Sequence, residues 1–157
     1  MARGNLIALD YGRRRVGVAG CSGDVPIAFG ITTLEINGLE DLPGKLKPIL
    51  TERDVKEIII GFPLTLGDRL GDLSGEILKL RRLLQAEGLS VRLVDEALSS
   101  RKANDLLHQR RRRIKKPDRD RTSAALILQE YLDGHLPPLP ESQTIELEKQ
   151  ILPGNKL

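Results

Sequence analysis

The order of strand-like and helix-like patterns is the feature that most limits the possible folds of this chain. Three extended stretches come first, and from residue 55 onward apolar strands alternate with amphipathic helices. Short connections between the first three strands imply an antiparallel meander, whereas strands separated by helices call for parallel pairing. The sequence therefore predicts an α/β fold with a mixed five-stranded sheet and helices on both of its faces.

The predicted elements follow from apolar periodicity and from the positions of turn residues. Predicted strands cover residues 6–10, 16–21, 27–36, 55–61 and 90–94. Predicted helices cover residues 39–53, interrupted near Pro43 and Pro48, then 75–87 with Ser74 as cap, a third beginning at Ser99 or Ser100, and 117–132. We expect one domain over residues 1–135, followed by a proline-containing tail over 136–157 that is extended or partly disordered.

The composition excludes several classes of protein. Cys21 is the only cysteine among 157 residues, which excludes a disulfide framework within the chain and a zinc site built on cysteines. No apolar stretch approaches the roughly 20 residues of a membrane span, and the first residues do not resemble a signal peptide. We therefore expect a soluble, cytoplasmic protein with no membrane partner.

Acidic residues follow two of the predicted apolar strands. Asp10 closes the strand over residues 6–10, and Asp95 and Glu96 follow the strand over 90–94. A carboxylate at the end of a buried strand has lost hydration and needs a partner, a proton or a metal ion. In sheets of this kind the functional crevice lies outside the carboxyl ends of the parallel strands. If the two strands are neighbours, these carboxylates converge.

A third acid shares the apolar stripe of the last predicted helix. Asp120 is followed at helical spacing by Ala124, Ile127, Leu128 and Tyr131, so it lies on the face that we expect to pack on the sheet. Asp118, two residues earlier, points elsewhere and is expected to cap the helix or to stabilise its first turn.

Three carboxylates brought together repel one another unless a cation joins them. A cluster of oxygen ligands without His or Cys suits Mg²⁺ or Mn²⁺. Two such ions roughly 4 Å apart can activate a water and stabilise the leaving oxygen in phosphodiester hydrolysis. Taken singly, each acid has a structural alternative: Asp10 as an acceptor of turn amides, Glu96 as a residue at the start of a helix, Asp120 as a cap.

Basic residues are concentrated in two short stretches, although the net charge is only +3. Such stretches attract phosphate backbones without sequence preference, and the alternative for each is a solvated loop. The nucleic-acid-binding candidates are Arg13, Arg14 and Arg15 in the first stretch, and Arg110, Arg111, Arg112, Arg113, Lys115 and Lys116 in the second.

Four ordered motifs resemble the YqgF/RuvX family of RNase H-like proteins, which are described as Holliday junction resolvases and as pre-16S rRNA nucleases. The motifs are IALDYGRRRVGVA, IIIGFPL, LVDEALSS and DRTSAALILQEYLD, and the resemblance spans residues 6–133. It implies an RNase H-like fold, with the family's metal-binding acids at Asp10, Glu96 and Asp120. Gly12 and Gly17 belong to the first motif, where glycine permits a tight turn and a close approach of strands.

The chain departs from the family pattern at two places. Ala97 stands where the family usually has an Arg after the catalytic Glu, and Thr65-Leu66-Gly67-Asp68 replaces the common Asn-Met-Asp-Gly. Both changes affect the expected handling of substrate more than metal binding. Arg101 could supply the missing cation if a helical turn brings it over the crevice.

The leading hypothesis is a metal-dependent endonuclease that acts on structured nucleic acid and processes the 5′ end of pre-16S rRNA in ribosome biogenesis, with pre-ribosomal particles as partners. Branched DNA is the second substrate, and a non-catalytic ribosome assembly factor is a further alternative. A sugar kinase or actin-like ATPase fragment would need a second domain that the chain is too short to supply. Either a monomer or a homodimer is compatible with the sequence.

Overall fold

A computed structural model describes residues 5–21, 24–63, 73–95 and 116–152, with side chains of the last range described from Ser123 onward. The strands are β1 (Leu6–Asp10), β2 (Arg15–Cys21), β3 (Ala28–Glu35), β4 (Glu57–Phe62) and β5 (Ser90–Asp95). The helices are α1 (Leu42–Glu52), α2 (Leu73–Ala86), α3 (Lys116–Leu132) and α4 (Glu141–Ile151), with a short 3-10 helix (Leu39–Asp41) before α1. Within these ranges no helix combines the length and the apolar character that a membrane span requires.

The sheet has five strands in the order β3-β2-β1-β4-β5. β1, β2 and β3 pair antiparallel, whereas β1 with β4 and β4 with β5 pair parallel. The predicted mixed sheet, with an opening meander and later parallel strands, is confirmed. The order also shows that β1 and β5 are not neighbours, because β4 lies between them.

The two faces of the sheet carry different helices, since alternate strand residues point to opposite sides. Ile7, Leu9, Ile58 and Ile60 belong to a core cluster shared with α1, α2 and α4. The other cluster joins alternate residues of the same strands to α3. Its α3 members are Ala124, Ile127 and Leu128, buried as the predicted stripe requires.

Two predicted helix starts differ from the structure. α1 begins at Leu42 rather than at residue 39, because the segment before it forms the 3-10 helix. α2 begins at Leu73, so Ser74 lies inside its first turn instead of capping it. The helix expected from Ser99 or Ser100 falls outside the described residues.

The C-terminal segment differs from the expected extended tail, because it contains α4. Leu147 and Leu152 enter the larger core, and the guanidinium of Arg81 binds the buried Glu148 carboxylate at 3.1 Å. Before α4, the Leu139 amide donates to the Leu93 carbonyl at 2.8 Å, which ties the segment to the edge of β5. A few apolar side chains and one buried ion pair therefore order a segment whose proline content favoured disorder.

Candidate functional site

Asp10 ends β1 on the face of the sheet that α3 covers. Leu6 and Ala8 belong to the α3-side cluster, whereas Ile7 and Leu9 face the other side. The alternation of the strand places Asp10 with Leu6 and Ala8. It is half-buried, in contrast to the four buried residues before it.

Glycine occupies the neighbouring strands on both sides of Asp10. Gly17 of β2 pairs directly with Asp10, and Leu9 pairs with Ile60, so Gly61 is the next position along β4. Ile59 belongs to the α3-side cluster, and Gly61 therefore shares that face. Neither glycine carries a side chain, so none projects from these two positions beside the Asp10 carboxylate.

β5 ends at the same end of the sheet as β1 and β4. Phe62 of β4 pairs with Asp95, while Val94 lies in the α3-side cluster and Leu93 in the other. Asp95 therefore has the parity of the face opposite α3, and it is position 96 that would continue the α3 face. Glu96 itself lies outside the described residues.

The separation of β1 and β5 changes the expected geometry of the acids. The sequence predicts that the carboxylates converge if their strands are neighbours, but β4 intervenes and holds the two strands about 10 Å apart. Direct contact between short side chains does not bridge such a gap.

The turn between β1 and β2 is tightly built. A Cβ at Gly12 would lie 2.6 Å from the carbonyl oxygen of Arg15, so the turn excludes any larger residue there. The Tyr11 hydroxyl donates to Glu76 Oε1 at 2.8 Å, and Arg13 Nε donates to Glu76 Oε2 at 2.7 Å. Glu76 of α2 thus anchors the turn and offsets the charge of Arg13, and both Arg13 and the neighbouring Arg14 are exposed.

Tyr11 makes the free energy of unfolding depend on pH in the alkaline range. Burial, reinforced by the hydrogen bond to Glu76, raises the pKa of its hydroxyl well above the ordinary value. The raised pKa favours folding fully below pH about 10, where the unfolded tyrosine is neutral, and this contribution is lost as pH rises further. Urea unfolding between pH 8 and 11 should show a steeper fall in the free energy of unfolding for wild type than for Tyr11→Phe. Parallel curves for the two proteins would contradict this.

A second cluster of possible ligands lies at the far end of α3. One ligand atom from each of Glu130, Asp133 and His135 falls within 4.8 Å of the others. Gln129 beside them accepts a hydrogen bond from the amide of Ala28, which pairs with the end of β2. The cluster therefore lies near the end of the strands that is opposite to the end with Asp10. Only the i, i+3, i+5 spacing in the sequence hinted at it, and two of its members are exposed.

Comparison with known proteins gives consistent results. A family profile described as "RuvX: Holliday junction resolvase" matches residues 4–134. A relative in Thermosynechococcus vestitus is 39% identical over 133 residues, covering 83% of this chain and 88% of its own length. One in Acaryochloris marina is 36% identical, covering 85% and 94%. Both are named "Putative pre-16S rRNA nuclease".

Among solved structures, "T. thermophilus RuvC in complex with Holliday junction substrate" matches with a TM-score of 0.55. The match covers 85% of this chain and 99% of the other, at 12% sequence identity. At that identity the likeness concerns the fold. It confirms the predicted RNase H-like architecture.

Proposed function

Because this chain belongs to the RuvX family, we propose that it is a metal-dependent endonuclease that hydrolyses phosphodiester bonds in structured nucleic acid, with the precursor of 16S rRNA as substrate. The observation that carries the proposal is Asp10 at a carboxyl strand end, on the α3 face and between two glycines. The names of the relatives supply the substrate. Processing of this precursor would place the protein in the cytoplasm, with pre-ribosomal particles as partners.

We assign the metal ligands to Asp10, Glu96 and Asp120. We expect position 96 on the same sheet face as Asp10, across the glycine of β4, because it follows Val94 of that face by two residues. An all-carboxylate set suits Mg²⁺ or Mn²⁺, and neither Gly17 nor Gly61 projects a side chain beside Asp10.

The position of Asp120 along α3 supports its place in this set. Gln129 is held at the start of β3 by bonds to the Ala28 amide, at 2.9 Å, and to the Pro26 carbonyl, at 3.0 Å. From Gln129 back to Asp120 the helix spans nine residues, or about 13.5 Å. From Cys21 back to Gly17 the strand β2 spans about 13 Å. A helix lying along β2 therefore brings position 120 level with Gly17, the pairing partner of Asp10.

The divalent ions, when bound, would activate the attacking water and stabilise the leaving oxygen. The chain's own contribution is placement. Asp10 is paired with Gly17 of β2, and its neighbour Leu9 is paired with Ile60 of β4, so the carboxylate needs little reorganisation to hold a cation. The Glu76 anchor fixes the turn that follows, which carries Arg14 to the rim where a phosphate backbone would pass.

The second basic stretch, of which residues 110–115 lie outside the described residues, is expected to hold substrate away from the reacting phosphate. Replacing Arg110, Arg111, Arg112 and Arg113 by Ala should weaken binding of many sequences alike and lower the slope of log K against log salt by up to about 4. Turnover of bound substrate should change little, because such contacts position the backbone. Filter binding at several salt concentrations and single-turnover kinetics measure the two effects. An unchanged salt slope would mean that the first basic stretch, Arg13, Arg14 and Arg15, binds the nucleic acid instead.

The proposed substrate is tested by incubating purified protein and Mg²⁺ or Mn²⁺ with labelled precursor 16S rRNA and with a four-way DNA junction in parallel. We expect cleavage of the RNA near its 5′ end. Cleavage of the junction alone would favour the resolvase activity in the family's description, and with it a dimer that places two sites on symmetric strands. Binding without cleavage in either metal would favour a non-catalytic assembly factor.

A further inference from the structure

A pocket of about 330 Å³ opens beside the basic turn, the segment with Arg13, Arg14 and Arg15 between β1 and β2. The pocket is separate from the proposed metal site at Asp10. Its lining comes from the start of β2, the end of β3 and α1: Arg14, Arg15, Glu35, Ile36, Asn37 and Lys45. β2 begins where β1 ends, so the pocket lies at the same end of these strands as Asp10, although Ile36 and the helix that carries Lys45 pack on the sheet face opposite α3.

The charge of the pocket is positive. Three cationic side chains line it against the single carboxylate of Glu35. Lys45 Nζ donates to the main-chain carbonyl of Glu35 at 2.7 Å, a neutral acceptor. This bond positions the ammonium without cancelling its charge, and a lysine ammonium has two further protons to donate.

The main chain around the pocket is held in place by hydrogen bonds. The Ile36 amide donates to the Arg14 carbonyl at 2.9 Å, and the Asn37 amide donates to Asp41 Oδ2 at 2.8 Å. Arg15 pairs with Glu35 across β2 and β3. A ligand would meet a backbone that is already ordered, so little conformational entropy would be lost on binding.

We propose that this pocket binds a backbone phosphate of the nucleic acid about two nucleotides from the one that is cleaved, with Lys45 and Arg14 as its main ligands. The inference rests on the proposed function for the identity of the strand. Arg15 precedes Gly17, the pairing partner of Asp10, by two residues, which is about 7 Å along β2. This equals the rise of about two nucleotides in a helical strand.

The roles of the two ligands differ by chemistry. The planar guanidinium of Arg14 can hold two phosphate oxygens at once, whereas Lys45 supplies a point charge. Because the contact is to phosphate, it should act on RNA and DNA alike. Lys45 also comes from α1, outside both basic stretches, and therefore extends the binding surface to a third element.

The test measures binding without turnover. In an Asp10→Asn background and without divalent metal, fluorescence anisotropy gives Kd against salt for a labelled precursor 16S transcript and for a four-way DNA junction. Lys45→Gln and Arg14→Gln should each lower the salt slope by about 1, which corresponds to about tenfold weaker binding at 0.1 M salt. Lys45→Arg should retain the wild-type slope.

Lys47→Gln is the matched control. Lys47 is an exposed lysine two residues further along α1, turned about 200° away from Lys45 and absent from the pocket lining. We expect wild-type binding from it. Equal losses of affinity in Lys45→Gln and Lys47→Gln would overturn the pocket proposal and indicate attraction by diffuse surface charge. Wild-type affinity in both Lys45→Gln and Arg14→Gln would also overturn the pocket proposal.

The pocket and the proposed function can fail separately. If wild type cleaves neither substrate but Lys45→Gln still weakens binding, the nuclease proposal falls and the pocket stands as a phosphate site. If wild type cleaves the precursor and Lys45→Gln binds like Lys47→Gln, the pocket falls and the nuclease stands. A loss confined to RNA or to DNA would overturn recognition through phosphate.

Discussion

Asp10→Asn is expected to lose cleavage by on the order of 10³-fold or more, because a metal ion contributes several kcal/mol to the stabilisation of the reacting phosphate and each 1.4 kcal/mol is a factor of about ten in rate. The amide keeps the size of the side chain but lacks the charge that holds the ion. Binding of nucleic acid without metal should not weaken, since the change removes a negative charge beside phosphates. Glu96→Gln and Asp120→Asn should behave alike.

Single-turnover cleavage and metal-free binding, measured on the same variants, check this result. Two matched controls are available. Asp133→Asn alters the acidic cluster at the far end of α3, and Asp95→Asn alters the acid whose strand parity is opposite to that of Asp10. Both should cleave at close to the wild-type rate. An Asp10→Asn variant that cleaves normally would remove the proposed metal site.

Removal of divalent metal is the second change with a large expected effect. Cleavage should vanish in EDTA and return with added Mg²⁺ or Mn²⁺, because the proposed ligands are carboxylates that hold hard cations. The fold should survive, since the sheet is supported on both faces by apolar clusters. Circular dichroism in chelator, alongside the cleavage assay, separates loss of the ion from loss of structure.

A readout of metal binding that needs no substrate comes from thermal unfolding. Binding to the folded state alone should stabilise wild type by about 2.7 kcal/mol at a metal concentration 100 times Kd. This stabilisation should be absent in Asp10→Asn and present in Asp133→Asn. The reverse pattern would place the ion at Glu130, Asp133 and His135, and full cleavage in EDTA would end the metal mechanism.

Local periodicity determined much of this protein. Short apolar runs bounded by turn residues predicted the central strands and identified Asp10 at the end of β1, and the helical stripe predicted the buried face of α3 through Ala124, Ile127 and Leu128. These features are readable because the side-chain periods of strands and helices depend on the backbone alone. The order of strand and helix patterns likewise predicted the mixed sheet that the structure confirms.

Only the tertiary structure decided the features that join residues distant along the chain. It placed β4 between the strands that carry the acids, set Gly17 and Gly61 on either side of Asp10, and joined Tyr11 and Arg13 to Glu76. It also brought Lys45 to the basic turn and packed α4 on the core. Strand order, register and long-range ion pairs depend on which surfaces meet when the chain collapses, and no local pattern records that choice.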